Sequence, residues 1–195
     1  GIDIFRKKKW SSKNTFHFIS VGRFHWKKGY HYALLAIKEL LDKNFDVHYT
    51  IIAKNEPSEE VLYQIHDLSI KDYITLLSLE SQKEVYQKMS ESDCLILPSV
   101  EEGIANVVLE AMAIELPVIS SNCGGMTEVL KDKSNGFIFN LRDVSNLVDV
   151  MKIIMRTSED QKRRIVKNAR IQIETKHDYD GLGYKMLQLY KSIDK

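Results

Sequence analysis

Residues 98–136 read PSVEEGIANVVLEAMAIELPVISSNCGGMTEVLKDKSNG. A strand end bounded by Pro98 runs into an acidic turn, Glu101-Glu102-Gly103, and then into an apolar run from Ile104 to Ala113 that a single charge, Glu110, interrupts. Charged side chains are rarely buried without a partner, so a carboxylate inside Val107-Val108-Leu109-Glu110-Ala111-Met112-Ala113 demands one. Glu102 belongs to the turn before the helix and Glu110 to the helix itself, eight residues on. The two can therefore face one cleft from different backbone elements. Sequence physics alone leaves two readings open, a pair of solvated acids or a pair lining a site.

Outward from this stretch the chain alternates. Phe16 to Val21 predicts a buried strand, and the loop Gly22-Arg23-Phe24-His25-Trp26-Lys27-Lys28-Gly29 leads into a helix on which Tyr30, Ala33, Leu34, Ile37, Leu40 and Leu41 keep helical spacing. Strands follow over Asp46–Ala53, Tyr73–Leu77, Cys94–Leu97, Pro117–Ser120 and Gly136–Phe139. Between them lie helices over Pro57–Leu68, Gln82–Met89, Ala105–Ile114 and a short one from Gly124-Gly125 to Leu130. From Val144 the pattern is helical, over Val144–Met155, Glu159–Glu174 and Leu182–Ile193. Apolar strands alternating with helices predict an α/β fold, a Rossmann-like parallel sheet with helices on both faces and a helical C-terminal region. Ligands of such sheets bind at the carboxyl ends of strands, so the loops Gly22–Gly29, Pro98–Gly103 and Ser121–Gly125 should meet in one crevice.

The chain has 195 residues, 44% of them hydrophobic and 28% charged. That describes one sizeable globular domain, or one lobe of a larger protein. Its 28 basic and 27 acidic residues leave no global nucleic-acid footprint, so any anion binding is local. Cys94 and Cys123 have neither metal spacing nor a disulfide pattern, which points to a reducing, cytoplasmic compartment. Cys94 is expected inside a strand and Cys123 exposed in a loop. No apolar run approaches the roughly 20 residues that span a bilayer. His17, His25, His31, His48, His66 and His177 show no paired spacing, and no bound metal is expected.

The central stretch resembles the C-terminal signature of the retaining GT-B glycosyltransferases, the group 1 or family 4 type that includes sucrose synthase and phosphatidylinositol mannosyltransferase. The resemblance rests on Pro98-Ser99, Glu102-Gly103, Glu110-Ala111-Met112-Ala113, Pro117-Val118-Ile119, Gly124-Gly125, Glu128 and Asn135-Gly136-Phe137, with Gly22-Arg23 and Lys28-Gly29 upstream. It implies that Arg23 and Lys28, beside Gly22, hold a nucleotide diphosphate and assist its departure. It also implies that Glu102, beside Gly103, faces the donor sugar and that Glu110 accepts from the ribose hydroxyls. The free amides near Asn106 and Val107, where the central helix begins, would add a phosphate-binding helix terminus.

The resemblance further implies a hexosyltransferase that takes a nucleotide diphosphate sugar, carrying UDP or GDP, as co-substrate without cofactor or metal. Gly1-Ile2-Asp3 resembles the stretch that follows the N-terminal lobe in this family. Residues 1–15 are then the remnant of an interlobe linker, 16–177 the nucleotide-sugar-binding lobe, and 178–195 a helix that would pack toward an acceptor-binding N-terminal lobe. Alone, such a lobe should bind donor weakly and transfer poorly. The acceptor can be a glycan or a lipid-linked glycan, with the whole enzyme peripheral to the membrane through Arg6 to Lys9. The alternatives are a nucleotide-binding module without catalysis and a hydrolase or phosphorylase of similar architecture. Two positions depart from the family pattern. Glu115 stands where Gly usually ends the central helix, requiring another geometry or about 1 kcal/mol of strain. Ser78 replaces a Gly after the third strand.

Overall fold

A computed structural model describes residues 15–79 and 81–176. Its strands are β1 Phe16–Val21, β2 Val47–Ile52, β3 Ile74–Leu77, β4 Cys94–Leu97, β5 Val118–Ser121 and β6 Phe137–Phe139. Its helices are α1 Tyr30–Asp42, α2 Glu59–Asp67, α3 Gln82–Glu91, α4 Asn106–Ala113, α5 Met126–Val129, α6 Val144–Arg156 and α7 Glu159–Lys176. Every β element read from the sequence is present, with Asp46, Ala53, Pro117 and Gly136 just outside their expected strands and Tyr73 in the 3-10 turn Lys71–Tyr73. The linker remnant, apart from Thr15, and the helix expected over Leu182–Ile193 lie outside the described residues.

The six strands pair in the order β3-β2-β1-β4-β5-β6, all parallel. Alternate side chains feed two separate cores. Phe18, Tyr49, Ile51, Ile96 and Phe137 pack with α1, α2 and α6 on one face. Ile19, Ile52, Leu95, Leu97 and Val118 pack with α3, α4 and α5 on the other. α7 crosses between them, placing Ile165 in the first core and Ala169 in the second. Burial on both sides is why β4 and β5 carry no exposed residue. Because β1 and β4 are neighbours whose connections leave in opposite directions, the chain has its topological switch point between them, and a crevice opens there at the carboxyl ends.

Local signals start the helices. Ser81 and Glu84 form a reciprocal capping box at α3, and the Asp143 side chain accepts from the Asn146 amide at α6. At the end of α4 the chain keeps the left-handed geometry without the glycine: Glu115 has φ 61°. The Leu116 amide donates to the Ala111 carbonyl (2.9 Å) and the Glu115 amide to that of Met112 (3.2 Å), the paired bonds of a Schellman motif. Arg170 of α7 donates to the Ala113 carbonyl as well.

Candidate functional site

Backbone contacts draw the three switch-point loops together. The Val100 amide donates to the Lys27 carbonyl at 2.7 Å, joining the loops after β1 and β4. Gly29 sits at φ 63°, and a Cβ there would fall 2.1 Å from the Pro98 carbonyl oxygen. Gly124, at φ 50°, lies closer still, since its Cβ would fall 1.6 Å from the carbonyl oxygen of Glu102. Only glycine fits either approach. The Ser121 hydroxyl donates to the Ser99 carbonyl at 2.5 Å. Asn55, after β2, holds Phe24 from both sides, accepting from its amide (2.8 Å) and donating to its carbonyl (3.0 Å). His25 uses Nδ1 to accept the Lys27 amide and so starts the 3-10 turn Trp26–Lys28.

That turn aims two lysines at two glutamates. Lys28 Nζ lies 2.5 Å from Glu102 Oε2, with side chains only 23% and 20% exposed. Lys27 pairs with Glu101 at 2.7 Å, but at 40% and 62% exposure. The exposed pair contributes about 0–1 kcal/mol. The sheltered one is more consequential, because removing either partner strands a partly desolvated charge. The Ser99 hydroxyl is 3.4 Å from the same Glu102 oxygen. Arg23 stands exposed in the loop after β1. Gly22 lies beneath the Lys28 side chain, whereas a Cβ on Gly103 would meet open space.

α4 begins at Ala105, whose extended backbone carries no side-chain cap. The first amide bonded back to it is that of Val108, so the Asn106 and Val107 amides have no acceptor within the helix. One turn on, Glu110 meets α3: Gln82 Nε2 donates to its Oε1 at 3.3 Å and the Tyr86 hydroxyl also bonds it. The partner demanded by this charge is therefore a pair of neutral donors rather than a cation. Burial raises the Glu110 pKa. Glu110 is thus a half-sheltered acceptor held by neutral donors, an arrangement suited to neutral hydroxyl groups. Lys28 and the free amides suit an anion.

Some features were not read from the sequence. Cys123 is buried rather than exposed, because the close approach of Gly124 to Glu102 folds its loop inward, and burial raises its thiol pKa. Ser99 and Asn55 organise the loops, and Tyr30 places a buried hydroxyl beside Gly22. A cavity of about 440 Å³ lined by His25, Trp26, His31, Glu60 and Gln64 adjoins this region. Among the described residues no cluster of three or more His, Cys, Asp or Glu is placed to hold a metal, and no helix is long and apolar enough to cross a membrane.

Comparison with known proteins gives this geometry a family. Over 177 residues the chain is 29% identical to the amylovoran biosynthesis glycosyltransferase AmsK of Erwinia amylovora, covering 87% of this chain and 42% of that protein. It is 28% identical over 165 residues to the UDP-Gal:alpha-D-GlcNAc-diphosphoundecaprenol alpha-1,3-galactosyltransferase of Escherichia coli, covering 83% and 41%. The chain thus spans less than half the length of these curated relatives. The Anabaena protein HepE, solved in complex with UDP-glucose, superposes with a TM-score of 0.81 at 19% identity, over 92% of this chain and 49% of that one. The fold is accordingly one Rossmann-like lobe of the GT-B type. The model of the family described as Glycosyl transferases group 1 matches residues 2–172, and the chain belongs to that family.

Proposed function

We propose that this chain is the donor-binding half of a retaining glycosyltransferase that moves a sugar from a nucleotide diphosphate sugar to a glycan or lipid-linked glycan acceptor. The observation that carries the reading is the Lys28–Glu102 contact of 2.5 Å at the switch point, with the free amides of Asn106 and Val107 at the start of the same α4. Cleavage of the bond between sugar and diphosphate leaves negative charge on the phosphate and positive charge near the anomeric carbon. Lys28 and Arg23 would neutralise the first, as a point charge and a planar fork of donors. Glu102 would face the second, and Glu110 would accept from the ribose hydroxyls. Neither a cofactor nor a metal enters this scheme. UDP is supported as the carried nucleotide by the names of the galactosyltransferase and of the HepE complex, and GDP remains the other candidate.

An N-terminal lobe of the same protein would supply the acceptor site, and the assembled enzyme would work in the cytoplasm or against its membrane. The test is calorimetric titration of the full chain with UDP, GDP and ADP, repeated on Arg23→Ala and Glu110→Ala. Saturable binding of one nucleotide, weakened by both substitutions, is the expected result. Binding that ignores both substitutions, or none to the chain and none to a longer protein carrying both lobes, overturns the reading.

A further inference from the structure

Tyr30 opens α1 two residues after Lys28. The residue is 4% exposed, and its hydroxyl is the buried side-chain polar atom without a hydrogen-bond partner among the described residues. Such a group normally finds a partner, and one that has none asks for a reason. The neighbouring buried phenol shows the usual outcome: Tyr49 donates to the Ser20 hydroxyl at 2.7 Å, and Ser20 donates to the Ile96 carbonyl at 2.5 Å. Packing alone therefore does not explain the state of Tyr30.

Its position supplies the reason. A Cβ on Gly22 would come 3.0 Å from the Tyr30 hydroxyl and 3.4 Å from Lys28 Cε. The phenol and the lysine stem thus share the space over Gly22, and the stem ends on Glu102. Burial first, and then the Glu102 charge, raise the phenol pKa, so the hydroxyl keeps its proton and can donate. A diphosphate arriving at the crevice competes for Lys28. Glu102 then loses its cation at the moment a second anion approaches, and a donor beside it becomes valuable.

Resting on the donor-lobe reading above, we propose that Tyr30 is a positioning residue: its hydroxyl donates to the Glu102 carboxylate when Lys28 turns to the donor diphosphate. It would keep that carboxylate aimed at the sugar. Among the described residues the hydroxyl has no partner, while Oε2 of that carboxylate is bonded to Lys28.

Tyr30→Phe keeps the ring and its edge contact with Phe24, and the full chain is titrated with UDP-glucose, GDP-mannose and ADP-glucose. For the sugar nucleotide that wild type binds, the variant should bind about tenfold more weakly, the loss of one charge-assisted hydrogen bond. Its ligand-free melting temperature should equal or exceed that of wild type. In a Glu102→Ala background, which removes the acceptor, the same substitution should change affinity less than about twofold. An unchanged affinity in Tyr30→Phe, with wild type binding normally, overturns the role of Tyr30 and leaves the donor reading standing. A full tenfold loss in the Glu102→Ala background also overturns it, since the hydroxyl would then touch the nucleotide directly. A lower melting temperature would mean that the hydroxyl is already satisfied. Failure of wild type to bind any of the three, both as this chain and in a longer protein carrying both lobes, strikes instead at the donor reading on which this inference rests.

Discussion

The amide of Val100 and the carbonyl of Lys27 meet at 2.7 Å, bonding the loop after β4 to the loop after β1 by backbone alone. Lys28 and Glu102 flank this bond, so their placement does not depend on which side chains occupy positions 27 and 100. The glycine approaches of Gly29 to Pro98 and Gly124 to Glu102 extend the same seam to the third loop.

The seam predicts a sharp contrast among glycines. Gly29→Ala and Gly124→Ala each force a left-handed alanine against a carbonyl oxygen and should destabilise by at least about 3 kcal/mol. Gly103→Ala meets nothing within 4 Å and should stay within about 0.5 kcal/mol of wild type. Urea unfolding of the three variants checks this, and a tolerated Gly124→Ala would contradict the packed seam.

Glu115 offers a gain. It closes α4 in a left-handed conformation, φ 61°, that costs a residue with a Cβ about 1 kcal/mol or more. Glu115→Gly removes that strain while adding freedom to the unfolded chain. The net expectation is stabilisation of about 0.5 kcal/mol, read as a higher urea midpoint at unchanged slope.

The order of strands and helices was legible in the sequence because each strand is a short apolar run closed by turn residues, and burial on both faces requires that pattern. Lys28 and Glu102 were legible as partners in one site because their loops had to converge at the switch point. What stayed hidden depends on approach in three dimensions. Tyr30 sits on the apolar stripe of α1 and reads as core, since spacing does not record where a hydroxyl ends. Cys123 reads as an exposed loop residue until Gly124 is seen against Glu102. The neutral partners of Glu110 come from α3, which is 28 residues away at Gln82 and carries no motif.

Glu110 should trade stability against binding. Burial raises its folded pKa above the unfolded value. The protonated form is therefore favoured by folding, and this contribution is complete below the unfolded pKa and lost as pH rises through the folded one. At neutral pH the ionised carboxylate is a liability in the ligand-free chain. Glu110→Gln should melt higher than wild type at pH 7, and the difference should shrink toward pH 4. The same variant should bind nucleotide more weakly if Glu110 accepts from ribose. Melting curves across that pH range, paired with titrations at pH 7, separate the two effects.

Three cations near the crevice should respond unequally to removal. Lys28 is sheltered and bonded to Glu102, so Lys28→Ala both deletes the cation proposed to meet the phosphate and leaves Glu102 uncompensated. Nucleotide affinity should fall by about 2 kcal/mol, roughly thirtyfold, with some loss of stability. Arg23 is exposed in the ligand-free chain, so Arg23→Ala should weaken binding by about 1 kcal/mol and leave stability within about 0.5 kcal/mol. Lys27 is engaged by Glu101 nearer the solvent, and Lys27→Ala should change affinity less than about twofold. Raising salt screens the exposed guanidinium more than the sheltered ammonium. The contribution of Arg23 should therefore fade between low and physiological ionic strength while that of Lys28 persists. Equal losses for Lys27→Ala and Lys28→Ala would mean that a diffuse basic surface, and not the Lys28–Glu102 site, attracts the nucleotide.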